Sequence, residues 1–467
     1  MITVEIPNNF KEEREYIIEV MLGEFLGLEH KIEVRDKNDY IIKMYDGKEL
    51  IIKDSFFSAF KDGLEYLNIK SLPKKIKFSK NKFIAEDNIP IIYGDSSIAI
   101  TRNQIICDID IFSSSFFMLT RWEEYVNTAK DRHGRFPMEE SLAYKTGFSH
   151  RPIVNEYVEM LWNMLVFLGC KQSRKRREFQ LIATHDVDRV CRWGSIAQSI
   201  KYFFKDLGKQ KKLFCFGSND KEQVEDTNGK KYFPSMEAIK DFFLTKTGIK
   251  KDPFATFDYL MDMAERFNIK AHFFFMAGGN SSFNRQYPLS ASDFYKLLTR
   301  IDERKHKIGF HPSYNSCLDK EQWDKEYKEF SLFSPQKVLC GRQHYLQFEV
   351  PNTWQIWNDH NMLWDSTLGF AEKEGFRCGV CYEYSAYNIL TRKKLRVKEL
   401  PLIVMDSSIV FYQNYPPQEA EIKIREMIFR VKKFKGNFVF LWHNSSFNVA
   451  PWQEYEFVYE AVYEAVR

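Results

Sequence analysis

The segment FQLIATHDVD, residues 179–188, predicts a buried β-strand that ends in two carboxylates. Its apolar residues form one short run before Thr184, which is typical of a strand in the interior of a sheet. Asp186 and Asp188 lie two positions apart, so in extended backbone their side chains point to the same side. One carboxylate of such a pair can bind a cation while the other takes a proton from water.

Three later segments have the same form, with polar residues directly after a short apolar run: IGFHPS at 308–313, RQHY at 342–345 and LWHN at 441–444. Helical patterns at 254–267, 292–303, 321–330 and 419–434 alternate with the strands, which predicts a parallel sheet covered by helices. In a parallel α/β barrel the carboxyl ends of the strands meet on one face, and that face carries the site. We therefore expect these segments to form one hydrolytic metal centre.

The residue types in these segments indicate separate roles. Gly309, just before the end of its strand, allows close backbone approach beside His311. Arg342 can orient a carboxylate through paired hydrogen bonds. His344 is a candidate metal ligand, substrate contact or core histidine. His443 ends the last strong strand, where a general acid that faces a leaving amine would have to lie.

The length of 467 residues suggests two domains. We predict a smaller mixed α/β domain over residues 1–175, with a hairpin at 40–45 and 50–53 and helices at 113–126 and 152–168. No residue spacing in this half matches a catalytic or metal-binding motif. This half could therefore bind substrate, dock a partner or cover an exposed edge of the sheet. The second domain is predicted over 179–467. A stretch at 191–252 that is rich in Lys, Asp and Gly interrupts the second domain. It could be a mobile lid over the cleft or merely a solvent-exposed insertion.

Composition excludes several classes of protein. The formal net charge of +4 is small for this length and gives no electrostatic reason to expect nucleic-acid binding. The N-terminus lacks the pattern of a secretory signal, and no window is apolar enough to span a bilayer. Eight cysteines at irregular spacing do not predict a disulfide framework. Together these features predict a cytoplasmic protein with reduced thiols, whereas the oligomeric state stays open.

These residues give the second half a resemblance to the polysaccharide deacetylase superfamily, the carbohydrate esterases that act on N-acetylated glycans. The resemblance covers residues 179–467 and rests on five segments in the family's order: 184–188, AHFFFM at 271–276, HPSYN at 311–315, 342–345 and 441–443. The whole chain is similar to two-part members whose N-terminal domain has no known function. The resemblance implies a distorted (β/α) barrel, a carbohydrate substrate and a place in surface glycan metabolism.

The resemblance also implies one divalent metal, most often zinc, and a role for each residue. Asp188 and His311 would bind the metal, and Asp186 would be the general base that activates water. Arg342 would hold Asp186 in place, and His443 would protonate the departing amine. The family's metal motif carries a second histidine four residues after the first, and this chain has Asn315 there. An amide oxygen is a poorer zinc ligand than imidazole.

Three consequences of Asn315 stay open: His344 supplies the third metal ligand, the site binds metal weakly, or the domain has lost its activity. The leading hypothesis is a metal-dependent hydrolase that removes acetyl groups from an N-acetylated sugar. A glycan-binding or scaffold protein on a decayed deacetylase domain is the non-enzyme alternative. A two-carboxylate glycoside hydrolase could use Asp186 with Asp365 or Asp406, but it would leave the histidines without a role.

Overall fold

A computed structural model describes residues 1–61, 63–193, 234–279, 281, 284 and 292–466. Residues 194–233, which include most of the predicted insertion and its suggested lid, lie outside the described residues. The strands are β1 (Ile2–Pro7), β2 (His30–Arg35), β3 (Tyr40–Lys43), β4 (Glu49–Ile52), β5 (Lys77–Ser79), β6 (Ile89–Ile91), β7 (Gly94–Ile100), β8 (Gln104–Ile109), β9 (Gln180–Val187), β10 (His272–Phe275), β11 (Lys307–Phe310), β12 (Cys340–Gly341), β13 (Trp364–Asp365), β14 (Tyr384–Asn388), β15 (Lys393–Glu399), β16 (Val404–Met405) and β17 (Asn437–Leu441).

The α-helices in the same residues are α1 (Lys11–Ile18), α2 (Ile111–Thr120), α3 (Trp122–Val126), α4 (Leu142–Lys145), α5 (Ile153–Phe167), α6 (Pro234–Lys246), α7 (Phe257–Arg266), α8 (Ser292–Glu303), α9 (Lys320–Phe333), α10 (Asn352–Asp359), α11 (Pro417–Lys433) and α12 (Glu456–Glu464). The segments Glu19–Phe25 and Ser408–Tyr412 are π-helical. Within the described part of the chain, no helix is long and apolar enough to cross a membrane.

The first half of the chain contains a six-stranded sheet in the order β2-β1-β3-β4-β8-β7. The predicted hairpin is confirmed as the antiparallel pair β3–β4, with Tyr40 opposite Ile52. The predicted helix at 113–126 is corrected to two helices, because Arg121 has a left-handed backbone with φ of 53° between α2 and α3. The buried Arg121 guanidinium bonds to Glu124 and Glu123, which stabilises this break from within the core.

The second half contains a nine-stranded sheet in the order β14-β15-β13-β12-β11-β10-β9-β17-β16. All its pairs are parallel except β14–β15, as the alternation of strands and helices predicted. Glycine is required where β11 meets β12. A Cβ on Gly341 would lie 1.8 Å from the carbonyl oxygen of Phe310. This close approach places the residues that follow both strands, His311 and Arg342, side by side.

The nine-stranded sheet is strongly curled. Seven strand-to-strand steps separate β15 from β16, which in a flat sheet would span about 33 Å. Residues 400–403 alone connect these two strands, and so short a link spans at most about 18 Å. The same link bonds to both sides, from Leu400 N to Asp365 O and from Ile403 N to Val439 O. The strand pairs of the described residues do not form a closed ring, so a complete barrel stays a prediction.

The first half of the chain packs against the antiparallel edge of this sheet. The hydroxyl of Tyr384 on β14 donates to the carbonyl oxygen of Leu119 at 2.9 Å. A buried ion pair joins Arg377 to Glu124, with nitrogen–oxygen distances of 2.9 and 2.6 Å. Covering an edge of the sheet is therefore one role of the N-terminal half. The domain boundaries stay predictions.

Candidate active site

A cavity of about 180 Å³ opens at the carboxyl ends of the parallel strands. Five of the six predicted site residues line it: Asp186, Asp188, His311, His344 and His443. The sixth, Arg342, lies behind Asp186 and is fully buried. The curl of the sheet explains this convergence, since β9, β11, β12 and β17 all end around the same cavity.

Asp188, His311 and His344 form a cluster that could hold a metal ion, with one ligand atom from each residue within 4.8 Å of the others. Asp188 Oδ1 lies 3.4 Å from Nε2 of His311 and 3.5 Å from Nε2 of His344. Nδ1 of His311 is 2.6 Å from the carbonyl oxygen of Arg342. If Nδ1 carries the proton and donates it there, Nε2 keeps a free lone pair for a metal.

The polar atoms of this cluster fit a divalent cation. Asp188 Oδ1, the oxygen that faces Nε2 of both histidines, is buried without a hydrogen-bond partner among the described residues. Buried polar atoms without a partner are rare in folded proteins, and an ion is one explanation for them. Two imidazole nitrogens and one carboxylate oxygen match catalytic zinc sites, which use three protein ligands and keep one position open.

The protonation of the cluster follows from burial and mutual charge. Burial raises the pKa of Asp188, but the nearby His344 and His311 outweigh it and hold that pKa well below its usual value. Burial lowers the pKa of His311, but Asp186 and Asp188 outweigh it, so the net shift is upward. For His344 burial dominates and its pKa is lowered. Asp188 is thus ionised and ready to bind a cation.

Arg342 anchors Asp186. Its Nη1 donates to Asp186 Oδ1 at 2.8 Å and to Thr184 Oγ1 at 3.0 Å. The opposite side of the guanidinium is held by Ser366, through its carbonyl oxygen at 2.8 Å and its hydroxyl at 3.0 Å. The second oxygen of Asp186 lies 3.9 Å from Nε2 of His311. The Asp186 carboxylate is therefore fixed beside the cluster, with one oxygen turned towards His311.

His443 is paired with Asp406, which directly follows β16. Nδ1 of His443 lies 2.8 and 3.0 Å from the two carboxylate oxygens of Asp406, and the backbone N–H of His443 donates to the same carboxylate. Burial lowers the pKa of His443, but the charge of Asp406 outweighs it and raises that pKa to about 10. His443 is therefore protonated at neutral pH, and it lines the cavity.

Asp406 is a site residue that the sequence did not assign correctly. Its position after an apolar run only made it one of two candidates for a second hydrolytic carboxylate. In the structure its carboxylate is fully buried and also accepts a hydrogen bond from Ser407 N. The other candidate, Asp365, is buried outside the cavity lining and accepts a hydrogen bond from Thr367. Neither carboxylate is available to a sugar, which disfavours the two-carboxylate glycosidase.

Asn315 lies away from the cluster. It is exposed in a short 3₁₀ turn, Tyr314–Cys317, and lines a separate cavity with His133 and Glu349. His344, by contrast, is buried beside His311, with ring centroids 5.0 Å apart. The position at which the resemblance implies a second histidine is thus outside the site, and the neighbouring strand end brings His344 into it.

The N-terminal half also contributes to the cavity, through Arg135 in the loop 131–137. The sequence of this loop is rich in turn residues, and no spacing in it resembles a catalytic or metal-binding motif. Other residues that line the cavity are Tyr345, Leu346, Met405, Ser407, Phe411 and Tyr412. The site therefore joins two parts of the chain that are far apart in sequence.

Parts of this chain are similar to a known protein family and to solved structures. A family model described as a family of unknown function, DUF7033, matches residues 2–169. No curated protein matches the chain. A solved structure from Mycobacterium smegmatis, described as a polysaccharide deacetylase, is 14% identical, with a TM-score of 0.39, and the match covers 62% of this chain and 85% of that one.

Two further solved structures are a CE4 family pseudoenzyme from Bacillus anthracis and a mutant of it with restored enzymatic activity. Each is 11% identical, with TM-scores of 0.28 and 0.27. The matches cover 46% and 45% of this chain, and 58% and 59% of the other chains. With TM-scores this low, none of the three structures supports an argument about the fold or activity of this protein.

Proposed function

We propose that this protein is a metal-dependent hydrolase that removes the acetyl group from an N-acetylated sugar. One observation carries the proposal: a three-residue cluster that could hold a metal ion, an anchored carboxylate and a protonated histidine line one cavity. Hydrolysis of an amide needs an electrophilic centre, a base for water and an acid for the amine. The order of the sequence motifs supports a sugar amide as the substrate.

Each residue has one task in this proposal. Asp188, His311 and His344 would hold a divalent metal, which when bound polarises the acetyl carbonyl and makes water more acidic. Asp186 takes the proton from the attacking water, because Arg342 holds its carboxylate in one orientation. His443 gives a proton to the departing amine, and Asp406 keeps the imidazolium oriented and charged.

The first experiment measures the metal content of the purified full-length protein by elemental analysis. We expect about one zinc, or another transition metal, per chain. His344→Ala should lose the metal, since it removes one of three protein ligands. Asn315→Ala is the matched control and should keep it, because Asn315 lies in a separate cavity. No metal after reconstitution, or loss in the Asn315 variant alone, would refute the proposed centre.

The second experiment measures acetate release from N-acetylglucosamine oligosaccharides. Release by the wild type that is abolished in Asp186→Asn, with metal retained, supports the hydrolase. A zinc-loaded protein that binds these sugars without releasing acetate would instead be a glycan-binding protein on a decayed deacetylase domain. In that case Asp186→Asn should leave sugar binding intact.

A further inference from the structure

We propose that Arg135, from the N-terminal half, is a sugar-contacting specificity residue that selects an uncharged N-acylated sugar. The proposal deepens the hydrolase function above and rests on it. It gives the N-terminal half a direct part in substrate selection, beyond its cover of the sheet edge.

The loop that carries Arg135 is rigidly built. Asp131 Oδ1 accepts hydrogen bonds from the backbone N–H groups of His133 and Arg135, at 2.8 and 2.9 Å. Asp131 Oδ2 accepts from Nε of Arg135 at 2.8 Å and lies 2.6 Å from its Nη2. Gln347 Nε2 donates to the carbonyl oxygen of His133 at 2.8 Å, which ties the loop to the second half of the chain. A preorganised side chain loses little entropy when it binds a ligand.

The Arg135 guanidinium bridges two walls of the cavity. Nη1 donates to the carbonyl oxygen of Tyr345 at 3.2 Å, and Nη2 donates to the hydroxyl of Tyr412 at 3.1 Å. Tyr345 follows β12 and Tyr412 follows β16, and five strand-to-strand steps separate these strands. Arg135 therefore connects opposite sides of the curled sheet, at the cavity that also contains the metal cluster. A sugar that presents its acetyl group to the cluster would lie within reach of it.

Arg135 keeps hydrogen-bonding capacity for a ligand. An arginine has five N–H groups. The contacts above use four of these N–H groups: the one on Nε, both on Nη2 and one on Nη1. The second N–H of Nη1 is left to donate to a ligand. A hydroxyl or carbonyl oxygen of a sugar is a suitable acceptor for it.

The charges around the cavity favour an uncharged sugar. Arg135 is already paired with Asp131, and Arg342 with Asp186. Among the described residues that line or back the cavity, an acidic sugar would thus meet no unpaired arginine, whereas a neutral oxygen can accept a hydrogen bond from the remaining N–H of Arg135 without a counterion. The wall near Arg135 is apolar at Leu346 and Phe411, which suits the apolar face of a sugar ring.

The test measures sugar binding by calorimetry, in zinc-loaded full-length protein that carries Asp186→Asn to prevent turnover. The probes are N,N′-diacetylchitobiose, which is neutral, and N-acetylneuraminic acid, which is acidic. Arg135→Met should weaken chitobiose binding about tenfold to a hundredfold, as expected for a lost hydrogen bond from a charged donor. Arg132→Met is the matched control, since it removes an exposed charge from the same loop and should change the affinity less than about twofold.

A second variant and a substrate without a sugar distinguish direct contact between Arg135 and the sugar from structural support of the loop by Arg135. Arg135→Lys keeps the charge beside Asp131 but loses the planar fork, so it should also weaken chitobiose binding. In protein without the Asp186 substitution, Arg135→Met should lower kcat/KM for chitobiose more than for 4-nitrophenyl acetate, which has no sugar. Equal losses on both substrates would show a merely structural role.

Besides equal losses on the two substrates, three results would overturn the proposal: unchanged chitobiose affinity in both Arg135 variants, tighter binding of the acidic probe, or no binding of either sugar. None of them bears on the metal cluster. Zinc content and acetate release by the wild type decide the hydrolase function separately.

Discussion

Replacing Asp406 with asparagine should lower the pKa of His443 by several units. The substitution keeps the shape of the side chain and an oxygen that can accept from Nδ1, but it removes the negative charge. That charge is the main influence that raises the pKa of His443 against the effect of burial. The change therefore tests whether Asp406 keeps His443 protonated, as the proposed general acid requires.

The magnitude follows from one distance. Asp406 Oδ1 and His443 Nδ1 are 2.8 Å apart. At an effective dielectric constant of about 20, two unit charges at this distance interact by about 6 kcal/mol, equivalent to about 4 pKa units. The pKa of about 10 in the wild type should then fall to about 6 in the variant.

The assay is an NMR titration of the histidine ring signals in metal-free protein, with His443 assigned by its own substitution. Asp365→Asn is the matched control, because it neutralises another fully buried strand-end carboxylate that has no contact with His443. The wild type and the control should keep His443 charged to about pH 10, whereas Asp406→Asn should lose the charge near neutrality.

Stability gives a second readout with a definite sign. The pKa of His443 is higher in the folded protein than its ordinary value of 6.5. Its contribution to the free energy of unfolding is therefore fully present below pH 6.5 and lost as the pH rises through about 10. A wild-type His443 that titrates near 6.5, or an Asp406 variant with an unchanged pKa, would refute the reasoning.

Three further predictions concern buried charges. Burial raises the pKa of Asp365 to about 7. The free energy of unfolding should therefore fall as the pH rises from about 4 to about 7, and urea titrations of Asp365→Asn should show a smaller fall over this range. Arg377→Met breaks the buried pair with Glu124 and should lower the free energy of unfolding in urea by about 3 kcal/mol. Arg342→Lys should reduce acetate release more than about tenfold while zinc is retained, because lysine cannot bond to Asp186 and to Ser366 at the same time, as the guanidinium does.

Much of the fold could be predicted because it depends on local patterns. Apolar runs followed by polar residues marked the ends of β9, β11 and β17, and an Asp-Gly turn marked the β3–β4 hairpin. The break at Arg121 could not be predicted in this way. The flanking residues favour a helix, and the left-handed turn depends on ion pairs inside the folded core.

The candidate site was predictable where polar residues stand at or just after the ends of the predicted strands, as Asp186, Asp188, His311 and His443 do. The sequence left open whether His344 completes a metal site, and its place beside His311, with Asn315 in a separate cavity, required the positions of β11 and β12. The sequence around Arg135 carries no motif that predicts a site residue, because Arg135 reaches the cavity from a loop of the N-terminal half.

The sequence by itself determined that strands and helices alternate in the second half, and which polar residues stand at the strand ends, because side-chain periodicity and chain order are local properties. Only the tertiary structure decided which of these residues meet. The curl of the sheet and the link at 400–403 bring β12 and β16 to opposite sides of one cavity. That packing pairs His443 with Asp406, brings His344 beside Asp188 and His311, and places Arg135 in the wall of the cavity. Such contacts depend on distances between residues that the order of the chain does not record.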